Sequence, residues 1–400
     1  MPRQSSGRAV NSTAYALFLA LALTGYPLAG VVTSALRWEG STISYGFRIL
    51  VLVLGAGLAG QAFLRGRPRR PPVLLLLFFT LYFVRLYYDA FIDPIQGADL
   101  AFSYYVSVVL PPALAAAVAI EGYDEIKFAQ STFWVGAIAC VSITLLDVTG
   151  LGVSRTAEVG RLSFDALNPI TVGFTGLFTI LAAIALWKQR PKMIPALVVG
   201  GGFALYSVIE AASRGPAAAG AFAIAVLALA RRNYFLFAIL LIAGAWFVFL
   251  ADDSTLRLLG RFEGIGTDAS SAERLFFMDN AIREALDHPI LGHAYAETVT
   301  FNPPHNLIIE SGLAIGLAGA GIMVVFYYQI IRRAWLLARA NYEFLAALLC
   351  CAFVNANLSA ALWSSPEFWI PLVLSAAAAG RVRKNREAAR AAMQAARQSA

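Results

Sequence analysis

Phe301 to Gly319 reads FNPPHNLIIESGLAIGLAG. Two prolines, Pro303 and Pro304, precede His305 and Asn306, and a long apolar run follows at once. Proline has no N–H to give to a helix interior, so the pair marks the chain just ahead of a helix start. An apolar run of this length reads as a membrane-spanning helix, which puts His305 at its mouth, near the water–lipid boundary. A neutral imidazole there can accept a proton near pH 7.

The rest of the chain reads as the scaffold for this stretch. Of 400 residues, 59% are apolar and only 14% charged, and the mean hydropathy is +0.68. Such a composition excludes an ordinary soluble domain. The apolar runs are continuous rather than alternating, so they predict helices and not a barrel. The expected fold is an all-α polytopic membrane protein of about twelve spans: roughly 13–33, 42–63, 73–90, 100–120, 128–149, 168–187, 193–211, 216–230, 234–251, 305–331, 344–362 and 367–380. One larger polar loop, 252–304, precedes the His305 span. Residues 1–251 thus carry nine spans, 305–380 three more, and 381–400 a basic, alanine-rich tail. The first run is longer than a signal-peptide core and is kept as an anchor.

Charge sets the expected orientation. Most of the 31 basic residues fall in segments on one side of this arrangement, including Arg65, Arg67, Arg69 and Arg70, then Lys188, Arg190 and Lys192, and the tail from Arg381. Basic loops stay in the cytoplasm. Both termini are therefore expected inside, with the 252–304 loop and His305 on the opposite, periplasmic face. The net charge of +7 follows from this bias, and nucleic acid is not an expected partner. Cys140, Cys350 and Cys351 lie in apolar runs and suggest neither a disulfide framework nor a metal site. No HExxH pattern appears, and the three histidines are not at ligand spacing, so no metal or other cofactor is expected.

Several polar residues stand out against the apolar background. Asn306 can cap the helix after His305 or touch a ligand. Arg214 lies in Ser-Arg-Gly-Pro between two spans, where it can snorkel or hold an anion; its planar fork suits phosphate. Arg274 lies on a stretch with Phe276, Phe277, Ala281, Ile282 and Ala285 at near-helical spacing, which reads as an amphipathic helix on the membrane surface. Arg283 on the same stretch reads as surface charge. Arg161, in an outer loop just before a span, is another candidate anion contact. Arg48 and Arg85 fall within spans, where a charge is a functional-site hypothesis by default; Asp89, one turn after Arg85, offers it a local partner.

Taken together these residues resemble the O-antigen ligase family, which also contains O-antigen and exopolysaccharide polymerases. That family's pattern is a histidine, a small polar residue, nine residues, a glycine, two residues and a small residue. Here it reads His305-Asn306, LIIESGLAI, Gly316, Leu317-Ala318, Gly319. Ser213-Arg214-Gly215 and Arg274, upstream of His288-Pro289-Ile290-Leu291-Gly292, sit at the expected places. His293 follows Gly292 where family members commonly carry a second glycine. The resemblance implies a GT-C-like, inverting, metal-independent membrane glycosyltransferase of the bacterial inner membrane. His305 would be the catalytic base, and Arg214, Arg274, Asn306 and Arg161 would bind substrate. The donor would be an undecaprenyl-diphosphate-linked glycan. The acceptor would be lipid A–core in a ligase, or a lipid-linked repeat unit in a polymerase. A lipid-linked glycan transporter or flippase is the alternative outside the enzymes; it would place its polar residues at the bilayer midplane.

Overall fold

A computed structural model describes residues 10–36, 40–66, 68–151, 153–155, 162–164, 167–233 and 269–398. Seven helices are long and apolar enough to cross a membrane. Six of them are α1 (Ser12–Leu36), α3 (Val73–Ile92), α4 (Ala98–Val118), α5 (Glu125–Thr149), α6 (Pro169–Trp187) and α7 (Pro191–Ala211); the seventh lies within α2 (Gly40–Leu64). Two shorter apolar helices are α8 (Arg214–Ala230) and α12 (Glu343–Leu358). The remainder are α9 (Ala269–Asp287), α10 (Leu307–Ile315), α11 (Leu317–Ala338) and α13 (Pro366–Gln398). A short antiparallel ribbon pairs Val153–Arg155 with Leu162–Phe164 between α5 and α6. The chain is thus a helical, polytopic membrane protein. The expected span 234–251, most of the polar loop through 268, and Arg161 lie outside the described residues.

Local sequence explains where the helices begin. Asn11, Asp124 and Asn168 each accept a backbone N–H from the first turn of α1, α5 and α6, and Pro169 then occupies a position that needs no donor. Lipid gives helices no hydrophobic reason to associate, so close contact between small residues matters. Gly176 of α6 is such a contact: a Cβ there would lie 2.5 Å from the Ala204 carbonyl oxygen of α7.

Two ends of the bundle are distinct. At one, Arg69 pairs with Glu121, Arg231 pairs with Glu343, and Arg381 donates to the carbonyls of Tyr123 (3.0 Å) and Ile120 (2.8 Å). These segments, all assigned to one side from charge, do lie together. Arg381 is no break in the chain's path: α13 continues through it as a single helix of 33 residues. The other end carries His305. Beneath it, α3, α4, α11 and α13 meet in an aromatic cluster of Phe78, Phe79, Tyr82, Tyr105, Phe326 and Trp369.

The span expected from His305 to Ile331 is not one helix. It breaks at Gly316, where φ is 75° and ψ −164°, a region open essentially to glycine alone. Beyond the break the chain doubles back closely enough that a Cβ on Gly319 would collide with the Ser311 carbonyl. The gap is filled by the turn before it. Leu317 N–H donates to the Pro289 carbonyl at 2.8 Å, and His293 N–H donates to the Leu313 carbonyl at 2.6 Å. Gly292 and Gly316 therefore serve one junction, in which each backbone lies where the other's Cβ would be.

Candidate functional site

The loop that delivers His305 is held by three carboxylates. Asp89, fully buried, accepts from Tyr295 N–H at 2.8 Å and from Arg85 Nε at 2.9 Å. The Arg85–Asp89 pair proposed from their spacing is present. Glu284 of α9 accepts from Thr298 N–H (2.9 Å) and its hydroxyl (2.9 Å). Glu297, also fully buried, accepts from the N–H groups of Val299 (3.0 Å) and Thr300 (2.9 Å), and Asn280 of α9 reaches it at 3.3 Å. A loop with its N–H groups satisfied in this way holds its shape away from regular structure.

His305 follows with φ 54°, a left-handed conformation uncommon for a side-chain-bearing residue and one that clusters at functional sites. Asn306 next to it caps α10, accepting from Ile308 N–H (3.1 Å) and Ile309 N–H (3.2 Å), while its amide donates to Asn357 Oδ1 at 3.2 Å. Both ends of this side chain are engaged by the protein.

The imidazole is mostly buried, and Nδ1 has no hydrogen-bond partner. Burial, and then the positive charge of Arg274, push its pKa below the ordinary value of about 6.5, against backbone hydrogen bonding to Ala360 and Ser359. Arg274, half-buried on α9, is therefore close enough to His305 to act on its charge. The apolar stripe expected on α9 does not form one exposed face: Ala281 is fully buried, whereas Leu275, Phe276 and Ile282 are exposed on the same side as Arg283 and Asp279, which pair at 2.7 Å.

Arg214 opens α8. α8 and α12 run antiparallel, since Arg231 at one end of α8 meets Glu343 while a Cβ on Gly215 at the other would lie 3.6 Å from Ser359 Oγ. That serine belongs to the segment lying against His305. His305, Arg274 and Arg214 thus come from different parts of the chain to one end of the bundle: Arg274 acts on His305 directly, and Arg214 starts a helix that packs against the segment beside it.

No protein-family model and no curated protein matches this chain.

Two features of the site were not singled out from sequence. Glu310, one turn into α10, is fully buried; Oε1 accepts from Leu362 N–H at 2.9 Å and faces the Tyr82 hydroxyl at 3.4 Å, whereas Oε2 has no partner. It fixes the 359–365 connection next to His305. The second is a cavity of about 750 Å³ beside that connection, into which Arg48 projects. The four-residue spacing of Glu310 from Asn306 could have flagged the first. Nothing in the apolar run around Arg48 announces the second.

Proposed function

We propose that this protein is an inverting membrane glycosyltransferase that moves a glycan from an undecaprenyl-diphosphate donor to an acceptor hydroxyl at the periplasmic face. The observation that carries the proposal is the placement of a depressed, neutral-favouring imidazole beside Arg274, with the first turn of α8 packed on the same connecting segment. A base must be unprotonated to work, and both burial and the guanidinium favour that state. Arg214 and Arg274 are the cations that would hold the diphosphate. As the glycosidic bond breaks, negative charge grows on the leaving phosphate, and fixed cations stabilise it. Diphosphate leaves without a general acid, and arginines take the role a divalent ion has elsewhere. His305 takes the proton of the acceptor hydroxyl, which attacks the anomeric carbon from the face opposite the leaving group.

The twelve-span GT-C-like arrangement, with both termini cytoplasmic, belongs to the same proposal. We favour the ligase, with lipid A–core as acceptor; a polymerase uses the same chemistry on a lipid-linked repeat. Mass spectrometry of surface and lipid-linked glycans from a deletion strain tests both. Unused long lipid-linked chains identify a ligase, and products of a single repeat identify a polymerase. Unchanged glycans on both pools would overturn the proposal.

A further inference from the structure

Beside the His305 site lies the cavity of about 750 Å³, walled by α1, α2, α4, the start of α6 and the α12–α13 connection. Arg48 enters it from α2 and is only 6% exposed. Its guanidinium carbon lies 3.7 Å from the centre of the Tyr104 ring and 5.2 Å from that of Tyr45. Two of its nitrogens, Nε and Nη1, are buried with no hydrogen-bond partner. A cation held by aromatic faces but with donors unused is half of a site, because a buried charge needs a counter-charge and hydrogen bonds.

The walls indicate what completes it. Trp363 Nε1 is a second buried donor without a partner, and Asn355 Oδ1 is an unpartnered acceptor. Tyr26, Tyr104 and Trp363 offer aromatic surface, and Asn168, Thr171 and Ser365 offer short polar groups. Glu367 is the other charged group lining the space, and its Oε1 is taken by the Asn355 amide at 3.0 Å. Flat apolar surface with scattered donors and acceptors suits a sugar, and a guanidinium in the cavity wall suits a phosphate or carboxylate. Two five-residue π-helical turns, Leu21–Gly25 and Tyr105–Val109, contribute Ala22, Leu23, Ser107 and Val108 to the walls. Such turns widen a helix locally and are frequent at functional sites. One residue joins the cavity to the base: Ser359, whose backbone lies against His305, is part of its wall, although His305 itself is not.

We infer that this cavity is the acceptor subsite, and that Arg48 binds an anionic group, phosphate or carboxylate, carried by the acceptor glycan close to the hydroxyl that is glycosylated. The inference rests on the transferase reading above.

The test uses the full-length protein in phosphatidylcholine nanodiscs. Acceptor probes are lipid A–core as isolated, the same material with its phosphates removed, and the same material with its uronic carboxyl groups reduced. Arg48→Gln is expected to raise the acceptor KM at least tenfold, with donor KM and kcat changed less than twofold; Arg48→Lys should recover part of the loss. Whichever chemical removal erases the difference between wild type and Arg48→Gln names the anion. An equal rise in donor KM, or a difference that survives both removals, overturns the inference. Equilibrium binding of the released, delipidated core oligosaccharide to His305→Ala protein separates this result from that of the parent reading. Arg48-dependent binding without any transfer by wild type keeps the site and sinks the transferase. Transfer that is indifferent to Arg48 keeps the transferase and sinks the site.

Discussion

Gly316→Ala puts the junction between α10 and α11 under direct test. Gly316 has φ 75° and ψ −164°, and an added Cβ would stand 2.5 Å from the Ile290 carbonyl oxygen and 2.6 Å from that of Pro289. Both obstacles are backbone atoms, so no side chain can swing away. Forcing a residue with a Cβ into this conformation costs about 1–3 kcal/mol. Displacing the 289–293 turn breaks the Leu317–Pro289 and His293–Leu313 hydrogen bonds, each contributing about 1 kcal/mol net. The variant should therefore lose roughly 3–5 kcal/mol of stability in an SDS unfolding titration, by adding those two terms. Gly321→Ala, five residues on, is the control. A Cβ there meets nothing within 4 Å, and alanine within a helix should be neutral or stabilising by about 0.5–1 kcal/mol. Equal stability of the two variants would refute the helix break and the turn that fills it.

Other consequences follow from the same geometry. The rate of transfer should fall on the acid side as His305 is protonated, and Arg274→Gln should move that limb to higher pH, because it removes a charge that disfavours the imidazolium; an unmoved limb would separate the two residues. The folded imidazole titrates below the unfolded one, so the unfolded chain takes up the proton first as pH falls; the contribution of His305 to stability should be intact above about 6.5 and decline as the pH drops from there through the folded value. Asn306→Ala should cost about 1 kcal/mol through loss of the α10 cap, and should lower kcat more than it raises KM if the residue positions the base. Activity should persist in excess EDTA, since the arginines are assigned the charge-stabilising role; a strict need for Mg²⁺ or Mn²⁺ would overturn that assignment.

Much of the scaffold was legible because the membrane constrains it strongly. Continuous apolar runs predicted α1 to α7 to within a few residues, since every backbone polar group in lipid must be satisfied within its own helix. The Arg85–Asp89 pair could be read from i, i+4 spacing alone. The basic segments that were grouped by charge lie at one end. What escaped was connectivity at the site. Hydropathy registers the solvent around a segment and not whether the segment is continuous, so the run from Leu307 to Ile331 looked like one span. Its break at Gly316 is stabilised by Pro289 and Gly292, more than twenty residues earlier, a relation no local window contains. The expected span 344–362 likewise stops at Leu358, and its last residues turn aside to face His305. Arg48 was visible as a charge in a span, but its cavity is assembled from five separate parts of the chain.

The most direct measurement is single-turnover transfer by purified, folded protein from a synthetic undecaprenyl-diphosphate glycan to lipid A–core, comparing wild type with His305→Ala. Loss of general-base help should slow the chemical step by about 10²–10⁴ while leaving donor binding unchanged. A His305→Ala protein that turns over at the wild-type rate would contradict the assignment of this imidazole as the base.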